Sequence, residues 1–159
     1  MELVDVLRFL NVLSAGLEAG GQLSVLLVVV PVKRHWPTEL SVRIHQAMLH
    51  TLPDRYLRPL GFVTGISALL ILGLAAIGET ELETASIVLT LLGLPAAIGV
   101  AVLSEAFNKP TNRVILTWSS EDIPADYARI RDRWDRIHVM RTASGLIAFV
   151  CFAAAALIG

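Results

Sequence analysis

The sequence is short of cysteine, of charge and of aromatic rings, and each shortage narrows what the chain can be. Cys151 is the single cysteine of 159 residues, which excludes an internal disulfide and a cysteine-built metal cluster. Charged residues make up only 17% of the chain against 55% hydrophobic ones, where soluble domains carry about 25% charge. An excess of one sign is missing as well. Thirteen Lys and Arg oppose 14 Asp and Glu, for a formal net charge of −1, so the chain offers no global field to nucleic acid. A Gly-rich phosphate loop, a flavin fingerprint and low-complexity tracts are also absent. So apolar a chain belongs in lipid, and the expected setting is a bacterial inner membrane.

Four segments are long and apolar enough to cross about 30 Å of hydrocarbon. Residues 9–32 hold one ionisable side chain, Glu18; the start MELVDV is acidic and no A-x-A-like site closes the run, so it reads as a retained helix rather than a signal peptide. Residues 59–78 and 84–104 are charge-free and joined by the acidic turn 79–83, which makes them a hairpin, with Pro95 placed to kink the second arm. Residues 142–159 form the last span, and the helical pattern before them begins near Pro124. The expectation is an all-α, four-helix membrane bundle, a single integral membrane domain over 1–159 with helices at about 6–32, 59–78, 84–108 and 124–159. A short interfacial helix starts near Pro37-Thr38 and ends before Pro53, and the fourth helix extends into the cytoplasm.

The first long connection carries Lys33, Arg34, Arg43, Arg55 and Arg58, and the second Lys109, Arg113, Arg129, Arg131, Arg133, Arg136 and Arg141. The hairpin turn carries neither Lys nor Arg. By the positive-inside rule both long connections are cytoplasmic, and the termini and the turn lie outside. Gly16-x-x-x-Gly20 and Gly61-x-x-x-Gly65 permit close helix approach. They read as ordinary contacts within the bundle and leave homo-oligomerisation open.

Polar residues at membrane depth are the functional candidates. Glu18 sits mid-helix, where an ionised carboxylate costs at least about 2.5–3.5 kcal/mol on insertion scales, so it must face the bundle interior, a partner or a cavity. Gly16, Gly20, Gly21 and Gln22 leave room for one. Glu105 and Asn108 share a helix face, and a turn at Pro110 is expected to point Asn112 back at them. Arg131, Trp134, His138 and Arg141 recur at intervals of three, four and three on one face, whereas Arg129, Arg133 and Arg136 point elsewhere. That face reads either as an interfacial belt on anionic lipid or as a site in which His138 hangs over the cytoplasmic mouth as base or metal ligand. His45 and His50, five apart, do not share a face; His50 reads as a surface residue and His45 stays open.

The Gly-rich first helix with Gly16, Gly20 and Gly21, the Asn108-Lys-Pro-Thr-Asn112 element, Trp118, and Trp134-x-x-x-His138-x-x-Arg141 together resemble the small four-helix membrane proteins of the domain of unknown function 1772, which includes the anthrone oxygenase-like proteins. The likeness spans essentially the whole chain. It implies the four-helix fold and, for part of a diverse family, an oxidoreductase that converts an anthrone to an anthraquinone with O₂. Asn112, Trp134, His138 and Arg141 carry over from it, and Glu18, His45 and Glu105 are added on physical grounds. In this reading His138 is the base, Arg141 and Asn112 hold the developing oxyanion, Glu18 is a further catalytic carboxylate, and Trp134, with Asn108 and Trp118, contacts a hydrophobic aromatic or lipid-like substrate. No cofactor is required. The metal-dependent variant places iron or copper on Glu18, His45, Glu105 and His138. Two rivals remain: a small proton-coupled transporter working through Glu18, and a non-catalytic lipid-binding or assembly subunit.

Overall fold

The computed structural model describes residues 2–51, 56–119 and 122–159; Pro53 and Arg55, used above for the loop helix and the charge count, lie outside them. Among the described residues the chain is helical and has no strands. Four helices are long and apolar enough to cross a membrane: α1, Leu3–His35; α3, Arg58–Ala76; α4, Thr84–Leu116; and α5, Tyr127–Ile158. Between α1 and α3 lies α2, Thr38–Thr51.

Two of the spans outrun the sequence expectation for one physical reason. Proline lacks the N–H for an i−4 bond, and its ring collides with the carbonyl at i−4. In α1 and α4 a π-helical turn precedes the proline: Val25–Val29 before Pro31 and Leu103–Asn108 before Pro110. The Val30 amide bonds Val25 O and the Lys109 amide bonds Ser104 O, five residues back. With the clash relieved, α1 continues to His35 and α4 to Leu116. Pro110 therefore makes no turn, and the boundary at 108 moves to Leu116. The last helix begins at Tyr127 rather than near 124.

The α3–α4 hairpin ends α3 in a Schellman motif. The Glu79 amide bonds Leu74 O at 3.0 Å and the Gly78 amide bonds Ala75 O at 3.2 Å. Gly78 sits at φ +77°, a left-handed position where glycine escapes the Cβ penalty.

Small and polar residues hold the helices together, as expected where apolar side chains gain little by leaving lipid. Asn11 donates to Thr64 O at 2.8 Å and Ser67 Oγ at 3.0 Å, and the Ser14 and Thr64 hydroxyls lie 2.8 Å apart, joining α1 to α3. Ser86 donates to Ala155 O at 2.9 Å, and Gly93 lies so close to Phe152 that an added Cβ would fall 2.7 Å from the ring, joining α4 to α5. Of the paired glycines, Gly16 packs on Phe149 and Gly61 on the Glu18 carboxyl, while Gly20 and Gly65 meet nothing within 4 Å. At the Arg- and Lys-rich end a buried ion pair crosses the bundle: Lys33 Nζ lies 3.1 Å from Asp135 Oδ1. The other Asp135 oxygen takes Arg34 at 3.2 Å.

Candidate functional site

A cavity of about 380 Å³ opens at this end, walled by α1, α3, α4 and α5, within the range of small-molecule sites. Its sides are apolar, with Ala97, Val100 and Phe62 among them. Polar residues line it from four helices: Glu18 and Gln22 of α1, Arg58 of α3, Ser104, Glu105, Asn108, Lys109, Asn112 and Arg113 of α4, and Arg141 of α5. The extension of α4 past Pro110 is what puts Asn112 on the same wall as Asn108.

Several of these groups are short of partners. Asn108 is 2% exposed, and neither its Oδ1 nor its Nδ2 has a hydrogen-bond partner among the described residues; the same holds for Gln22 Oε1 and Arg141 Nε. Buried polar groups are nearly always bonded, and each exception needs a reason. All four belong to residues that line the cavity, whereas Arg8 Nη2 and His45 Nε2, likewise without a partner among the described residues, do not. Glu18 accepts from Gln22 Nε2 at 3.4 Å. Its carboxyl oxygens lie 3.3 and 3.4 Å from where a Cβ on Gly61 would stand, so the glycine keeps that space open.

Behind the cavity, the α5 face found in the sequence is buried as a stack. Trp134 and His138 lie parallel, 5.0 Å apart and 8° from coplanar. His45 of α2 meets Trp134 edge-on at 4.6 Å, and Lys33 Nζ lies 4.3 Å over the indole ring. Arg129, Arg133 and Arg136 are exposed. Both imidazole nitrogens of His138 are engaged. Arg141 donates to Nδ1 at 2.9 Å, so Nε2 carries the proton and donates to Gln22 O at 3.0 Å. Arg141 also donates to Ser104 Oγ at 3.2 Å, and Trp134 Nε1 donates to Asn112 Oδ1 at 2.8 Å.

The geometry rearranges the roles assigned from sequence. His138 is 0% exposed and does not line the cavity; α2 and the Gln22 carbonyl cover the place where the sequence puts a mouth, so its contact is with Arg141. Trp134 is 3% exposed, with His138, His45 and Lys33 around its ring, and does not line the cavity. Trp118 lies edge-on to Tyr127 at 5.8 Å, away from the cavity. His50 is exposed and His45 is 1% exposed. Burial, then the neighbouring Lys33 and His138, push His45 down to about 3, so it is neutral at physiological pH.

The proposed metal ligands are not brought together. Glu18 and Glu105 line the cavity, but His45 and His138 flank Trp134. Among the described residues no three His, Cys, Asp or Glu side chains gather in a metal-holding group. Glu105 is occupied at the rim by Arg58 at 3.3 Å and Lys109 at 2.8 Å.

Sequence reading missed the Lys33–Asp135 pair and the part played by Gly61. Asp135 had a signal: it falls on the buried face, beside Trp134 and three residues before His138. Lys33 had none, since a lysine closing an apolar run normally snorkels to the interface.

Neither a curated protein nor a solved structure matches the chain. The anthrone oxygenase family profile matches residues 55–151, a stretch that contains Glu105, Asn108, Asn112, Trp134, His138 and Arg141. With more than half of its length matched and four apolar helices in place, the chain is a membrane protein that belongs to the anthrone oxygenase family.

Proposed function

We propose that this protein is a membrane-embedded oxygenase that oxidises an apolar aromatic ketone with an acidic benzylic CH₂, of the anthrone type, using O₂. The observation that carries the reading is the pairing, in one apolar cavity, of the Glu18 carboxylate with the Arg141 guanidinium and unsatisfied amides. A carboxylate is an acceptor of protons, and a guanidinium with a free N–H is a fixed donor for developing negative charge on oxygen.

In this reading Glu18 takes the benzylic proton, and the ketone oxygen becomes an enolate oxygen held by Arg141 Nε and Asn108 Nδ2. The electron-rich carbon reacts with O₂ to a hydroperoxide. Loss of the remaining proton from that carbon breaks the O–O bond, leaving a second ketone and releasing water. The balance is one anthrone and one O₂ to one anthraquinone and one water. His138 is a positioning residue: its Nδ1 lone pair holds Arg141 in the cavity, and its Nε2–H anchors it to α1. The part given to His138 as base therefore passes to Glu18, which lies in the cavity where His138 does not.

The test is O₂ uptake by the purified protein in detergent with anthrone, measured above spontaneous oxidation. Glu18→Gln keeps the hydrogen-bonding shape and is expected to lose about 10²–10⁴-fold in rate, the usual weight of a general base. Unchanged uptake in that variant removes Glu18 from the chemistry. Proton flux in liposomes driven by substrate without O₂ uptake replaces the oxygenase with a transporter working through the same carboxylate.

A further inference from the structure

The cavity has two borders, and they differ in chemistry. Toward the charged end, Arg58 of α3 lies 3.3 Å from Glu105 of α4, and Lys109 lies 2.8 Å from the other Glu105 oxygen. This cluster ties the two helices together at the rim. One turn farther into the apolar stretch, the cavity lining reaches the outer surface of the bundle. Phe62 of α3 lines the cavity and is 61% exposed, and Ala101 of α4 lines it and is exposed as well. Beside Phe62 the lining has small residues, Gly61 on one helix and Ala97 and Ala101 on the other. Four residues separate Arg58 from Phe62, a depth of about 6 Å along a helix, which sets Phe62 and Ala101 in hydrocarbon when the rim cluster lies at the interface.

We propose that ligands reach the cavity sideways from the bilayer, through the gap between α3 and α4 at Phe62 and Ala101, and that the Arg58–Glu105–Lys109 cluster seals the same cavity against water. The inference rests on the cavity being the working site, and it adds what kind of molecule can arrive there: one already dissolved in the membrane, apolar along its body, with its polar atoms carried inward to Asn108, Gln22 and Arg141. Water excluded at the rim would also leave those orphaned groups to the ligand alone, where hydrogen bonds are stronger than in water.

The route can be read without turnover. In a Cys151→Ser background, a nitroxide is attached at Ser104→Cys, a cavity position just inside the rim, and the protein is placed in phosphatidylcholine vesicles. Power-saturation EPR should show the label accessible to O₂, which concentrates in lipid, and shielded from a water-soluble nickel chelate, unlike a label at Glu81→Cys in the turn. Adding Glu105→Gln should raise nickel access at position 104. High nickel access with the rim intact overturns the proposal. A second measurement follows quenching of the tryptophans by anthraquinone delivered from donor vesicles. Ala101→Phe should slow association about tenfold or more, within the range that binding-site variants span, whereas Val88→Phe, on the exposed surface of α4 outside the cavity, should not. Equal rates in the two variants overturn the sideways route. If anthraquinone fails to bind the unmodified protein, the aromatic substrate falls, and the nitroxide result still decides the route.

Discussion

Removing one member of the Lys33–Asp135 pair should cost very different amounts depending on which member goes. Lys33 has a fully buried side chain, with Asp135 as its ion-pair partner at 3.1 Å and the Trp134 ring at 4.3 Å. Asp135, 4% exposed at the side chain, has a second cation, Arg34 at 3.2 Å, which is 51% exposed and reaches Asp132 at 3.7 Å as well. Asp135→Asn therefore strands a buried ammonium, and uncompensated buried charge costs about 3–5 kcal/mol. Lys33→Met fills the same space with an apolar chain and leaves Asp135 paired with Arg34, so its cost should stay below about 2 kcal/mol, the range of ordinary core changes. The double variant removes both charges and should be closer to the wild type than Asp135→Asn alone, because the two sites share one interaction. Arg34→Ala, at a half-exposed pair, should cost about 0–1 kcal/mol. Unfolding in mixed micelles by titration with dodecyl sulfate, or Tm in a mild detergent, measures all four. A Lys33→Met variant as damaged as Asp135→Asn, or additive costs in the double variant, would refute the reasoning.

Acid should destabilise the protein through His45, which is held at about 3 by burial and then by Lys33 and His138. Its folded value lies below the unfolded 6.5, so its contribution is complete above pH 6.5 and is lost as pH falls from there toward 3, at about 1.4 kcal/mol per unit for one proton; Tm at pH 7.5 and pH 5 should diverge less in His45→Phe than in the wild type, and an identical slope would clear His45. Topology is expected to follow the charges: a reporter fused at residue 81 should lie outside and one at residue 118 in the cytoplasm, and a cytoplasmic signal at 81 reverses the assignment. Gly61→Ala presses a methyl to 3.3 Å from Glu18 Oε1; activity should drop between about 10- and 100-fold, as misplaced reacting groups do, with little change in Tm, and full activity would show that the position of Glu18 is not critical.

The four spans were legible because hydropathy over a helix length is a local property. The α5 face was legible for a similar reason: a 3.6-residue period needs no knowledge of the partner, and Trp134 and His138 are indeed buried while Arg129, Arg133 and Arg136 are exposed. What covers that face is not local. The His45 ring and the Gln22 carbonyl come from α2 and α1, and Lys33 meets Asp135 across 102 residues. Periodicity shows which way a side chain points and is silent on whether a cavity or another helix waits there. That is why Trp134 and His138 read as part of a site at a cytoplasmic mouth in the sequence and lie buried outside the cavity lining in the structure, with Arg141 of the same face reaching it.

Pro110 shows the complementary limit. A proline ordinarily ends a helix before it, and from sequence a turn at Pro110 is what points Asn112 back at Glu105. The structure brings them to the same wall with no turn, because one extra residue in the π segment Leu103–Asn108 frees the proline from its clash. The extra residue also rotates everything after it by about 100° relative to a regular helix. In a regular helix Asn112 would stand about 80° round from Ser104; after the π turn it bonds the Trp134 indole and lines the cavity. A second π turn, Val25–Val29, follows Gln22 in the same way and sets the azimuth of Lys33 relative to Glu18. Such turns are frequent at functional sites, and here each stands just before a proline, Pro31 or Pro110, whereas Pro95 lies within regular α-helix; the two insertions set the direction of the polar residues that follow them, Asn112 at the cavity and Lys33 at the ion pair.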